Sequence, residues 1–124
     1  HELWTVMVAL ALCDRVVVRR VERAGVTLRT RGPAVAGVPT DGTNLAQRAA
    51  EAVLERAREG GSPPEVGLEL ELEKHVPAEA GLGGGSSDAV AAWLGAERVL
   101  GLALDANERR LALARLGSDC VFFA

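Results

Sequence analysis

The sequence predicts a mixed fold of strands and helices, and three observations carry that prediction. Residues 66–73 alternate strictly, with Val66, Leu68, Leu70 and Leu72 on one side and Gly67, Glu69, Glu71 and Glu73 on the other, which is the period-2 mark of a half-buried strand. Leu45, Ala49, Ala52, Val53 and Ala57 fall at helical spacing and make one apolar stripe. Between these regular segments and the end of the chain lies a glycine-dense stretch that opens onto a further helical pattern.

Taken in order, residues 3–12 are apolar with little polar relief, which suits a strand buried on both faces, with a helix as the alternative given the alanines and Met7. The run is too short to cross a membrane. Asp14 marks a turn. Residues 15–22 carry Val16, Val17, Val18 and Val21, and β-branching favours a strand. After Ala24-Gly25, residues 26–30 alternate again. Three successive strands predict an antiparallel meander.

Residues 31–42 hold three glycines and two prolines and read as a connecting loop. Thr43 or Asn44 is placed to cap the helix that follows. Gly60-Gly61 and Pro63-Pro64 end it. The glutamates of residues 66–73 read as a solvated face or as salt-bridge partners, not as a metal site.

The chemistry concentrates in Pro77-Ala78-Glu79-Ala80-Gly81-Leu82-Gly83-Gly84-Gly85-Ser86-Ser87-Asp88, with four glycines in five residues. Glycine lets a ligand approach the main chain with no Cβ in the way. The first amides of a helix lack internal partners and sit at the positive end of its dipole. A glycine turn running into the helix predicted over residues 89–100 is therefore a seat for phosphate oxygens. Ser86 and Ser87 add hydroxyls for phosphate or for its magnesium ion. The Walker pattern fails because no lysine follows Gly85, and the dinucleotide fingerprint meets Ser86 where Gly or Ala is wanted. Beyond this helix, in which Trp93 reads as core, Asp105-x-x-Glu108 is a capping box. Leu111, Leu113 and Leu116 line the last helix up to Gly117. Residues 120–123 read as the start of a strand.

At 124 residues and a net charge of −3, the chain has one domain's length and little of the basic charge that nucleic-acid coats need. Cys13 and Cys120 are its two cysteines. They make neither a disulfide framework nor a zinc pattern, so buried thiols in a reducing cytoplasm are expected. The first residue is His1 and the last residues are apolar, and both ends read as cut from a larger protein.

The stretch from Pro77 to Asp88, followed about thirty residues on by Leu116-Gly117-Ser118-Asp119, resembles the GHMP family of small-molecule kinases. Asn44-Leu45 is similar to that family's helix-opening pair, and His1-Glu2 to the end of its Gly-Tyr-His-Glu stretch. The resemblance implies an α+β fold of the ribosomal protein S5 domain 2 type with a left-handed βαβ unit. Residues 1–124 would then be part of an N-terminal ATP-binding domain, with a C-terminal domain absent. It implies transfer of the ATP γ-phosphoryl group, with Mg2+, to the 2-hydroxyl of 4-diphosphocytidyl-2-C-methyl-D-erythritol in non-mevalonate isoprenoid synthesis.

Carried over, Pro77 to Ser87 form the ATP phosphate loop and Asp119 is the catalytic carboxylate. His1 binds the cytosine of the small-molecule substrate, and Asn44 and Lys74 lie near the adenine. Taken alone, Asp119 reads as a turn residue and Lys74 as an exposed lysine at a strand end. The chain departs from the family at Val121, where a proline is usual, and at Glu79, where a small residue is usual. The family's catalytic lysine lies upstream of His1, so the isolated piece is expected to be inactive. Other family acceptors (homoserine, mevalonate, sugars), an S5-like nucleic-acid module and a dinucleotide-dependent oxidoreductase stand as alternatives.

Overall fold

A computed structural model describes residue 6 and residues 8–124. The element order is β1 (Arg15–Val21), β2 (Gly25–Arg31), α1 (Leu45–Glu59), β3 (Gly67–Glu73), α2 (Gly84–Leu100), α3 (Ala106–Leu116) and a short 3-10 helix, Ser118–Phe122. The α+β class stands, but the strand order differs from the expected meander. The sheet runs β1-β3-β2, so β1 and β2 are consecutive in sequence yet never touch in the ladder. β1 pairs antiparallel with β3, and β2 pairs parallel with it across the α1 crossover.

The reason β3 takes the centre is visible in its side chains. Its leucine face meets Val16 and Val18 of β1 and Val26 and Leu28 of β2 in register. Leu68 and Leu70 are fully buried there. Its opposite face carries the three glutamates, and arginines reach them from both neighbours. Arg19 of β1 lies 3.5 Å from Glu69 and 3.7 Å from Glu71. Arg31 of β2 sits 2.7 Å from both Glu71 and Glu73. A strand with carboxylates in line is best placed between two cationic neighbours, because like charges along one face repel. The glutamates are thus salt-bridge partners, as the sequence reading allowed.

α1 and α2 cover the leucine face. Ala46, Ala49, Ala50, Val53 and Leu54 of α1 and Ala89, Val90, Ala92, Trp93 and Ala96 of α2 join Leu68 and Leu70 in one core. Small residues let the helices come close. A Cβ on Gly95 would stand 2.7 Å from Val18 Cγ2, so α2 crosses β1 at a spot with no room for a side chain. Trp93 is core, as expected, and its indole N–H donates to Glu97 Oε1 at 2.6 Å. Arg109 of α3 grips the same carboxylate at 3.0 and 2.7 Å, while Arg56 of α1 lies 5.0 Å over the Trp93 ring. Three helices are thereby pinned around one aromatic residue, whose N–H has a buried partner.

Four further expectations need correction. Among residues 3–12, those described form no strand, and Val6, Val8, Leu10 and Leu12 are exposed; no described strand lies beside them to complete a ladder. Residues 120–123 are not a strand start, because a 3-10 turn tucks Cys120 into the core and lays Phe123 against Gly83. Leu111 points outward at 59% exposure, and Ala112 and Leu113 take the buried side of α3. Cys120 is buried as expected, but Cys13 is exposed.

Candidate functional site

The glycine stretch begins where β3 ends. Residues 77–83 form successive turns, and α2 starts at Gly84, five residues earlier than the sequence pattern indicated. Gly84, Gly85, Ser86 and Ser87 are therefore the helix's first turn. Gly83 caps it at φ +70°, a left-handed conformation that glycine takes without strain, and no side chain caps the helix. Among the described residues, no acceptor takes the amides of residues 78–86; the first bonded amide is that of Ser87, which donates to the Gly83 carbonyl at 2.9 Å. The outcome is a row of free donors at the positive end of a 17-residue helix, suited to an anion.

Beneath the turn lies a cluster that the sequence reading did not assemble. Lys74 is buried, not the exposed strand-end lysine its position suggested, with its side chain 3% accessible. Its ammonium donates to Asp14 and, at 2.8 Å, to Asp88 Oδ2. The other Asp14 oxygen accepts the amides of His75 at 2.6 Å and Val76 at 2.8 Å. Burial pushes the Asp14 carboxyl up, but the bonds from Lys74, Val76 and His75 outweigh it and hold the group below the usual range. For Asp88, burial wins over the pull of Lys74 and raises its pKa to about 6. Burial lowers that of Lys74 itself, and the two carboxylates more than restore it.

Asp14 lies 60 residues from Lys74 in sequence, and one aspartate before a strand carries no local signal of such a role. Asp88 ended the recognised motif, but nothing in the spacing said what it would touch.

Two clefts flank the turn. The larger, about 740 Å³, has Asp14, Gly81, Gly84, Ser87, Asp88 and Phe123 in its lining. The smaller, about 250 Å³, is lined by Val38, Pro39, Asn44, Lys74, Glu79 and Gly85. Asn44 caps α1: its Oδ1 accepts from Ala46 at 2.9 Å and Gln47 at 3.4 Å, and its Nδ2 donates to the Pro39 carbonyl at 2.8 Å. Its polar atoms thus hold the cleft wall in shape.

Glu79 is the one non-glycine residue with positive φ among those described, at +58°. The left-handed region costs an ordinary residue about 1–2 kcal/mol. Glu79→Gly relieves that strain and removes a negative charge beside the turn. The expected result is unchanged or slightly higher stability and about two- to fivefold tighter binding of inorganic triphosphate at low salt, with the gain fading as salt screens the charge. Titration calorimetry on the full-length protein at two ionic strengths checks this; weaker binding would mean that the carboxylate helps to hold the anion.

Ser87 Oγ donates to the Gly84 carbonyl at 2.9 Å, which leaves its lone pairs outward. Ser86 lies with its hydroxyl beside the Cys120 thiol. A hydroxyl joined by phosphate oxygens is a hard-oxygen donor set that fits magnesium. No group of three or more His, Cys, Asp or Glu that would hold a metal occurs among the described residues.

Asp119 stands in the first turn of the 3-10 helix, exposed, with Ser118 Oγ 3.2 Å from its Oδ1. It does not line either cleft, although its neighbour Cys120 meets Ser86 and Phe123 packs over Gly83. His1 lies outside the described residues. Of the residues singled out from sequence, the fold gathers the glycine turn, Asn44 and Lys74 around the clefts. It places Asp119 on a segment docked against that turn. No described helix is long and apolar enough to cross a membrane.

Comparison with known proteins agrees with this geometry. Residues 44–124 match the family described as GHMP kinases N terminal domain. The chain is 40% identical over 121 residues to a 4-diphosphocytidyl-2-C-methyl-D-erythritol kinase of Synechococcus sp. (strain JA-3-3Ab), covering 98% of this chain and 36% of that protein. It is 39% identical to the enzyme of the same name from Geobacter sp. (strain M21), covering 99% and 41%. The chain thus spans about two fifths of the length of the curated relatives it matches. A crystal structure of 4-(cytidine 5'-diphospho)-2C-methyl-D-erythritol kinase superposes with a TM-score of 0.64 at 42% identity, covering 90% of this chain and 35% of the other. Homoserine kinase from Cytophaga hutchinsonii shares the fold at a TM-score of 0.67 and 21% identity, covering 90% and 34%. With a glycine turn of free amides at the head of α2 and a family match over residues 44–124, this chain belongs to the GHMP kinases and carries sequence of their N-terminal domain.

Proposed function

We propose that the full-length protein is a cytoplasmic ATP-dependent kinase that phosphorylates the 2-hydroxyl of 4-diphosphocytidyl-2-C-methyl-D-erythritol, a step of non-mevalonate isoprenoid synthesis. In this reading the chain supplies the nucleotide half of the site, and a C-terminal domain completes it. The observation that carries the proposal is the first turn of α2, which no side chain caps and whose amides have no acceptor among the described residues. Phosphoryl transfer asks mainly for positioning and for neutralisation of charge on the phosphate oxygens. Amides fixed by a helix do both. The choice of acceptor is supported by relatives of that name at 39–40% identity.

In the proposed mechanism, amides of residues 78–86 bind the β- and γ-phosphates. The cleft walled by Asn44 and Lys74 takes the adenosine end, and His1 contacts the cytosine of the acceptor. Asp119 accepts the proton of the 2-hydroxyl as its oxygen forms the bond to γ-phosphorus and the bond to the ADP oxygen breaks. Ser87, with Ser86 behind it, would hold magnesium. When bound there, magnesium neutralises phosphate charge.

A phosphotransfer assay on the full-length protein, with 4-diphosphocytidyl-2-C-methyl-D-erythritol beside homoserine and mevalonate, tests the reading. Turnover with the cytidyl substrate alone is expected. Turnover with homoserine or mevalonate instead would move the protein to another branch of the family.

A further inference from the structure

The Asp14–Lys74–Asp88 cluster separates the two clefts. Asp14 faces the larger, Lys74 the smaller, and Asp88 lines both. It also joins the two ends of the phosphate turn. On the entry side, Asp14 holds the amides of His75 and Val76, immediately before Pro77. On the exit side, Lys74 holds Asp88, one helical turn past Gly84. A Cβ on Gly84 would lie 3.4 Å from Lys74 Nζ, so the ammonium sits directly under the first residue of α2. Every bond of this clamp passes through Asp14 or through the lysine it holds.

We infer that Asp14 is a positioning residue for nucleotide binding: through Lys74 and Asp88 it fixes the separation between the end of β3 and the start of α2, and so the spacing of the amides between them. The inference rests on the proposed nucleotide site. Asp14 itself touches no phosphate in this scheme. A turn rich in glycine has many accessible conformations, and without fixed ends its amides would converge on one anion only part of the time. Affinity falls by the fraction of molecules in the competent arrangement.

The variant that separates positioning from bulk stability is Asp14→Asn. Its side chain keeps one oxygen for the His75 and Val76 amides but turns an N–H₂ group or nothing toward Lys74. In the full-length protein, the ADP dissociation constant from titration calorimetry should rise about tenfold or more, and the ATP KM should rise with it. The KM for the alcohol acceptor should stay within about twofold, because the acceptor is not held by the turn.

A role in stability alone would lower the folded fraction and apparent kcat while leaving the ADP affinity of the folded molecules unchanged. Unchanged affinity in folded Asp14→Asn overturns the inference. If that variant does not fold, Asp14→Glu is read by the same titration. It keeps the charge on Lys74 but displaces the acceptor from the two amides, so ADP affinity should drop at least threefold, and no change overturns the inference. ADP binding needs no acceptor. Hence wild-type protein that binds ADP but phosphorylates none of the three alcohols sinks the acceptor assignment and leaves the clamp to be judged on the variants. Wild-type protein that does not bind ADP overturns both.

Discussion

Asp119→Asn is expected to lower turnover of the full-length protein by about 10²–10⁴-fold, the usual contribution of a positioned general base. The ATP KM should change little, because the phosphate turn and both cleft walls are built from other residues. Stability should move by less than about 0.5 kcal/mol, as for other exposed positions away from the core, since Asp119 is exposed and its side-chain partner among the described residues is the adjacent Ser118. The combination is diagnostic: a normal melting temperature and normal nucleotide affinity, with chemistry nearly abolished. Asparagine keeps the shape and one oxygen to accept from Ser118, and removes the negative charge and the capacity to take a proton. Full turnover in the variant would take Asp119 out of the mechanism.

The largest effect on stability is expected from Lys74→Met. Methionine fills much of the same space but leaves the Asp14 and Asp88 carboxylates buried without their shared cation. Breaking a buried ion pair from one side costs about 3–5 kcal/mol, a large part of a domain's net stability. Asp14 would still accept two backbone amides, so the greater share of the penalty falls on Asp88, which has Lys74 as its partner at 2.8 Å. Adding Asp88→Asn should therefore recover at least about 1 kcal/mol of the loss, a coupling readable from a double-mutant cycle in urea. If Lys74→Met cost less than about 1 kcal/mol, the carboxylates would have to be hydrated and the cluster would not be the anchor described above.

Elements governed by local rules were legible in the sequence. The alternation of residues 66–73 gave β3, the stripe from Leu45 to Ala57 gave α1, and Asn44 and Asp105 capped the helices they precede. The glycine turn was recognisable because its chemistry depends on backbone, and glycine spacing reports backbone directly. Pairing was not legible. Two strands rich in β-branched residues and joined by a short turn look like a hairpin, yet β3 inserts between them. Its glutamates find Arg19 on one side and Arg31 on the other, a charge match across three strands that no local window contains.

The clamp was hidden for the same reason. Lys74 at a strand end reads as exposed until Asp14 and Asp88 arrive from elsewhere in the chain. Glu108 shows the limit of a motif even where the helix is right: Asp105 caps as expected, but the glutamate turns to Arg56 at 3.5 Å. Residues 120–123 were misread because aromatic and β-branched residues favour strands only when an edge is available, and here the chain turns back to cover α2.

The most direct test of the central claim is hydrogen–deuterium exchange of the full-length protein with and without saturating ADP. Amides with no internal acceptor exchange readily until a ligand takes their hydrogens. The account predicts pronounced slowing confined largely to residues 78–86. Tight ADP binding that leaves exchange in residues 78–86 unchanged, and slows it elsewhere, would contradict it.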